Sequence, residues 1–135
     1  MKVQQTNRMR FLIDTLPFLW FVTGDARLRK PSHELLTSGK ADLFVSAVSL
    51  LEIQYKASAG KVRLANDVNL VQEIANNRFM LLPLTGAHCE HLRKLADAPS
   101  DFFDKMLVAQ ADAENLTLLT HDSSLAANAV PVMLS

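Results

Sequence analysis

Residues 10–15, Arg-Phe-Leu-Ile-Asp-Thr, decide the fold. Three consecutive apolar residues, Phe11, Leu12 and Ile13, run directly into an acid. A strand with one wet face alternates apolar and polar side chains, whereas an unbroken apolar run fits a strand covered on both faces. Asp14 therefore stands at the carboxyl end of a buried strand. Pro17 fits the first turn of a following helix through Leu19, Trp20 and Phe21, which Gly24 closes. Strand, acid and helix in that order begin an α/β unit.

Outward from this stretch the same grammar repeats. Residues 30–39 read as a short helix with Pro31 near its start, and 42–45, Asp-Leu-Phe-Val, as a second strand. Ser46 is placed to cap a helix over 47–59 that Gly60 stops. Residues 67–76 are expected to be helical, 78–84 a third strand with Pro83 near its end, and 85–96 a helix. The loop 99–101 feeds a helix over 103–114, with Met106, Leu107, Ala109 and Ala111 facing inward. Residues 116–120 form a fourth strand ended by His121 and Asp122, and 130–134 a fifth. Short apolar strands separated by helices imply an α/β fold with a mostly parallel sheet of four to five strands. Leu12, Ile13, Phe44, Val45, Leu118 and Leu119 are expected to be buried in it.

Bulk properties narrow the classes. The 135 residues make one domain, with 49% apolar and 21% charged side chains, as soluble globular proteins have. Fourteen basic residues balance fourteen acidic ones, which does not advertise a polyanion ligand and does not exclude one. The single cysteine, Cys89, rules out an internal disulfide and suits a reducing cytoplasm. The opening is polar rather than a signal peptide, and the longest apolar run, 16–22, is too short to span a bilayer. We divide the chain into a flexible extension, 1–9, and a single domain, 10–135.

Ligands of parallel sheets collect outside the carboxyl ends of the strands, which directs attention to the acids there. Asp14 and Asp122 each follow an apolar strand; Glu52 lies in an apolar helix; Asp101 and Asp104 flank the start of another. Each has a structural reading: Asp14, Asp101 and Asp122 as helix or turn caps, Glu52 on a wet face, and Asp104 at the positive end of a helix. Together they point to a site. Two carboxylates about 4 Å apart repel by roughly 4 kcal/mol at an effective dielectric near 20. A cluster of them needs protons or a cation, and an all-oxygen set favours Mg²⁺ or Mn²⁺ over zinc. Hydrolysis of a nucleic-acid phosphodiester is the natural use of such an ion.

From Arg10 onward the chain resembles the VapC-like toxins of the PIN-domain superfamily. The resemblance rests on Phe-Leu-Ile-Asp14-Thr15, on 45–53 (Val-Ser-Ala-Val-Ser-Leu-Leu-Glu-Ile), on 56–64, on 101–111 (Asp-Phe-Phe-Asp-Lys-Met-Leu-Val-Ala-Gln-Ala) and on 118–122 (Leu-Leu-Thr-His-Asp). It implies a Rossmann-like three-layer fold and a Mg²⁺-dependent endoribonuclease, Mn²⁺ being able to substitute. It also implies an RNA substrate, a cognate antitoxin and a homodimer. Asp14, Glu52, Asp104 and Asp122 become the expected catalytic, metal-binding carboxylates, Asp101 a further metal-site acid, and Thr15 and Thr120 hydrogen-bonding supports. Three positions depart from the pattern: Leu16 stands where a His is frequent, Phe102 where a Pro is, and His121 where an Arg is.

Other features have plainer expectations. His88 and His91, one turn apart, read as a surface helix face, and Cys89 as an inert thiol. Phe18, Trp20 and Phe21 read as a core or dimer face, with spare apolar surface over 18–22. Arg27, Arg29, Lys30, Lys56, Lys61 and Arg63 are available to RNA phosphates. Two other classes compete. One is a catalytically silent binding module for antitoxin or RNA. The other is an aspartyl-phosphate receiver or phosphatase, which lacks its second acid where Leu16 stands.

Overall fold

The computed structural model describes residues 8–95, 101–127 and 132–135. Strand β1 (Arg10–Ile13) leads into helix α1 (Thr15–Thr23), then α2 (Lys30–Thr37), β2 (Asp42–Ser46), α3 (Ala47–Ser58) and α4 (Leu70–Asn76). Strand β3 (Met80–Leu82), α5 (Gly86–His91), α6 (Phe102–Glu114), β4 (Thr117–Thr120) and β5 (Val132–Leu134) complete the order. Short 3₁₀ turns cover Leu92–Lys94 and Ser123–Ala127.

All four strand pairings are parallel, in the order β3-β2-β1-β4-β5. The expected sheet is therefore present, with β1 at its centre. The chain builds outward from β1 through β2 to β3, then crosses back to start β4 on the other side. Strand order thus reverses between β1 and β4, and a crevice opens at their carboxyl ends.

The pleat sends alternate side chains of β1 into two separate cores. Phe11 and Ile13 join Phe18, Leu19 and Trp20 of α1, Leu36 of α2, and Leu70 and Ile74 of α4 on one face. Leu12 joins Met106, Leu107, Val108 and Ala111 of α6 on the other. This is the three-layer arrangement, and Leu12, Ile13, Val45, Leu118 and Leu119 are almost completely enclosed.

Several expectations are corrected. Phe44 is half-buried rather than fully enclosed, with the Arg10 guanidinium 5.5 Å from its ring centre. Phe18, Leu19 and Trp20 pack inside, and Phe21 and Val22 are half-buried against the same core, so most of the apolar surface over 18–22 is used within the fold. Strand β3 is three residues, shorter than 78–84, because Arg78 adopts φ 60° and Pro83 lacks a donor. Helix α4 starts at Leu70, where Asn69 caps it, rather than at 67. Helix α6 starts one residue earlier than expected, at Phe102. The start of the fifth strand, the loop before Asp101 and the first seven residues of the proposed extension lie outside the described residues. Arg8 is tied to Asp42 and to the carbonyls of Gly39 and Ala41.

Candidate active site

Four elements, β1, α3, α6 and β4, deliver the five acids to one place. The backbone N–H of Asp14 donates to the Leu119 carbonyl at 2.8 Å, which extends the β1–β4 pairing by one residue and fixes where the acid leaves the sheet. Asp14 then caps α1, accepting from the Thr15 N–H at 2.7 Å. Glu52 projects from α3, which Ser46 caps through the Val48 N–H. Asp101 caps α6 by accepting from the Asp104 N–H at 2.9 Å, and Asp104 sits in that first turn. Asp122 follows β4 and caps the next turn through the N–H and hydroxyl of Ser124. The capping readings and the clustered reading thus hold together: each cap uses a single carboxylate oxygen, Oδ1, and locks the backbone, while Oδ2 stays outside the cap.

The result is an open cleft of about 180 Å³ lined by Asp14, Thr15, Leu16, Glu52, Lys56, Asp101, Asp104, His121 and Asp122. Three roomier hollows, of about 420, 470 and 450 Å³, each carry a single acid. Of these four hollows among the described residues, the small cleft concentrates charge: five acids face one lysine and one histidine. All five sequence-predicted site residues are brought together.

Burial decides their electrostatics. Asp14 is 3% exposed and Glu52 6%, depths at which an unpaired carboxylate is costly. Burial raises the Asp14 carboxyl above its ordinary value, against hydrogen bonds from Thr120 and Thr15 and the charge of His121, while the Glu52 charge adds to the rise. Asp104 is pushed up to about 7, first by burial and then by the charges of Asp14, Asp101, Glu52 and Asp122. Asp122 moves down instead, because Ser124 donates twice to its ionised form.

Among the described residues, no three His, Cys, Asp or Glu side chains stand close enough together to hold a metal ion as they are placed. The donor set nevertheless fits a hard divalent cation. Glu52 Oε1 is buried with no hydrogen-bond partner among the described residues, and Asp104, although Lys56 lies in the same cleft, is held at about 7 by burial and by the surrounding acids. A small oxygen-seeking ion answers both.

Of the two threonines expected to hydrogen-bond within the cluster, Thr120 does so through its hydroxyl and Thr15 only through its backbone N–H. The Thr120 hydroxyl donates to Asp14 Oδ2 at 2.6 Å. The Thr15 hydroxyl donates to Ser49 Oγ at 2.9 Å, pinning the start of α1 to the first turn of α3. Lys56 had been grouped only with surface cations, yet it pairs with Glu52 from one turn along α3. Its i, i+4 spacing from Glu52 was the available signal. His121 places Nδ1 4.0 Å from Asp14 Oδ2 and its ring edge against Trp20. Leu16 lines the cleft and contributes no polar group.

The two-histidine face needs correction. His88 is 1% exposed, hydrogen-bonded to Thr85, Gln110 and Glu114 between α5 and α6. His91 pairs with Asp112 at 2.6 Å. Each imidazole faces a carboxylate on a helix distant in sequence, which spacing within α5 could not reveal. Cys89 is free and exposed.

No curated protein matches the chain in sequence. Solved structures do match in shape. VapBC2 from Rickettsia felis, bound to a DNA fragment from its promoter, aligns with a TM-score of 0.70 at 17% identity over 93% of this chain and 98% of that one. DNA-bound VapBC from Salmonella typhimurium gives 0.64 at 20% identity over 93% and 98%. A toxin–antitoxin complex from Klebsiella pneumoniae gives 0.61 at 16% identity over 90% and 94%. At these identities the likeness is one of fold. The PIN domain model, by contrast, matches the sequence itself from residue 11 to residue 131, and the chain belongs to the PIN domain family.

Proposed function

We propose that this protein is a Mg²⁺-dependent endoribonuclease, the toxin of a type II toxin–antitoxin module acting in the cytoplasm. The observation that carries the reading is the convergence of Asp14, Glu52, Asp104 and Asp122 from four separate elements on one acidic cleft. A silent binding module has no use for buried like charges, each of which costs stability. Mg²⁺, or Mn²⁺ in its place, supplies acidification of water and stabilisation of charge on a phosphodiester undergoing attack.

The chain's own residues do the rest. Asp14, Glu52, Asp104 and Asp122 hold the cation, with Asp101 fixing the backbone of Asp104 and adding charge from the rim. Lys56 balances Glu52 in the resting cleft and is the nearest cation for an RNA phosphate. The products are a 5′-phosphate and a 3′-hydroxyl. The structural relatives named as toxin–antitoxin and VapBC complexes support a cognate antitoxin as partner, and the resemblance to VapC-like toxins supports RNA as substrate and a homodimer as the assembly.

Purified protein incubated with RNA and Mg²⁺ tests this. Cleavage is expected to stop with EDTA, to return with excess Mg²⁺ or Mn²⁺, and to be absent in folded Asp14→Asn. Cleavage that persists in that variant, or under excess chelator, overturns the proposal.

A further inference from the structure

Gln110 lies on the same helix as Asp104, is fully enclosed, and touches no acid of the cleft. Its amide is nevertheless fully used. Oε1 accepts from the Ser46 hydroxyl at 2.5 Å. Nε2 donates to the Pro83 carbonyl at 3.3 Å and to His88 Nδ1 at 3.3 Å. Ser46 Oγ accepts in turn from the Val48 N–H at 2.9 Å, capping the helix that carries Glu52. One side chain thus joins the β2–α3 junction, the end of β3 and helix α5 to α6. A leucine or methionine would fill this volume without the cost of a buried amide, so packing alone does not explain the group.

The register of α3 against α6 does. Ser46, at the start of α3, meets Gln110 near the end of α6, while Tyr55 near the end of α3 meets Phe103 at the start of α6, their rings 6.3 Å apart. The helices are therefore antiparallel neighbours. Glu52 lies six residues after Ser46, and Asp104 six residues before Gln110. At the helical rise, both acids stand about 9 Å along the pair from the Ser46–Gln110 contact, level with each other. A slip of one turn would separate those levels by about 5 Å.

We propose that Gln110 is a positioning residue for the carboxylate site: its amide fixes the register of α3 on α6 and so sets Glu52 opposite Asp104. The inference rests on the metal-site reading above, and it names what holds two of the four ligands in place. Groups hydrogen-bonded directly to a metal's ligands change affinity about 10- to 100-fold when removed; Gln110 acts one step further back, so the lower end of that range is the expected size.

The test compares Gln110→Met and Ser46→Ala with Val108→Ala, a core truncation on the same helix that leaves the amide in place. Circular dichroism checks folding. Cation affinity is read without RNA, from the rise in melting temperature with Mn²⁺. Gln110→Met and Ser46→Ala are expected to need about tenfold more Mn²⁺ for half the effect, with Val108→Ala matching wild type despite a lower melting temperature. Wild-type Mn²⁺ dependence in folded Gln110→Met, or an equal loss in Val108→Ala, overturns the proposal. Wild type that binds Mn²⁺ without cutting RNA overturns the nuclease reading and leaves this one standing. If wild type binds no Mn²⁺, or Gln110→Met does not fold, register is read in Ser46→Ala from spin labels at the exposed positions Gln54 and Phe102. A changed separation there, absent in Val108→Ala, supports the positioning role, and an unchanged one overturns it.

Discussion

The Thr120 hydroxyl stands between two acids of the cleft, accepting from the backbone N–H of Asp122 at 3.1 Å and donating to Asp14 Oδ2 at 2.6 Å. Asp122 spends its N–H on orienting the hydroxyl, and the hydroxyl spends its proton on the charged form of Asp14. Thr120→Val keeps the shape and removes the donor. Because this bond lowers the Asp14 carboxyl against the effect of burial, its loss moves that carboxyl further upward. Cation half-saturation is expected to rise about tenfold, and the acid limb of the activity profile to move to higher pH. An unchanged limb sinks this role for Thr120.

Asp14→Asn and Asp101→Asn separate ligation from capping. Asn keeps the size of Asp14 but removes the charge that draws the cation, and a loss of several kcal/mol in charge stabilisation corresponds to about a thousandfold in rate or more. Asn is also a good helix cap, so Asp101→Asn is expected to keep the α6 start and lose about tenfold or less. Single-turnover cleavage rates measure both, and equal losses would contradict the division.

Asp104 gives the cation-free protein a recognisable pH signature. Its carboxyl rises from 3.8 to about 7 on folding, so the folded protein holds this proton more tightly than the unfolded chain. That contribution is complete below the unfolded value and is lost as pH rises through about 7. Asp14 shifts in the same direction. Asp25 and Asp122 shift oppositely and lose their contributions only in acid. Melting temperature in EDTA is therefore expected to fall between about pH 5 and pH 8. Asp104→Asn flattens that fall, and Mg²⁺ at pH 8 reverses it in wild type. A slope identical in Asp104→Asn and wild type would refute the assignment.

Lys56→Met divides cation from substrate. Lys56 is paired with Glu52 and sits within the field of Asp101 and Asp104. Its removal frees Glu52 for the metal and deletes the nearest contact for a phosphate. Half-saturation by Mn²⁺ is expected to fall, while KM for RNA rises about tenfold and loses part of its salt dependence. Titrations at two ionic strengths read all three quantities, and a KM that does not move would remove Lys56 from the RNA path.

The sheet and its acids were legible because their signals are local. Phe11, Leu12 and Ile13 form an unbroken run, and Asp14 and Asp122 each sit at the end of a strand whose pairing fixes their direction. Glu52 was legible only jointly, since a lone Glu in a helix is usually wet. What escaped was what one element asks of another. His88 looked like a surface residue because Glu114 and Gln110, which enclose it, lie more than twenty positions away. Residues 18–22 read equally as core or as a dimer face, because apolar density does not say what covers it; Phe18, Leu19 and Trp20 are core. The short β3 escaped because a positive φ at Arg78 is invisible in an otherwise strand-like run.

The central place of β1 has a consequence for how the protein comes into being. Its two neighbours are β2, only some thirty positions downstream, and β4, more than a hundred. During synthesis from the amino end, β1 can pair on one side early but must wait for nearly the whole chain before its other edge is covered. Thr120 and Asp122 arrive with that last neighbour, after Asp14, Glu52 and Asp104 have all been made. A polypeptide broken off before residue 117 therefore holds three of the four acids and lacks the strand whose Leu119 carbonyl and Thr120 hydroxyl fix Asp14. The fourth wall of the acidic cleft is thus the last to leave the ribosome, and the cleft is complete only when nearly the whole chain has been made.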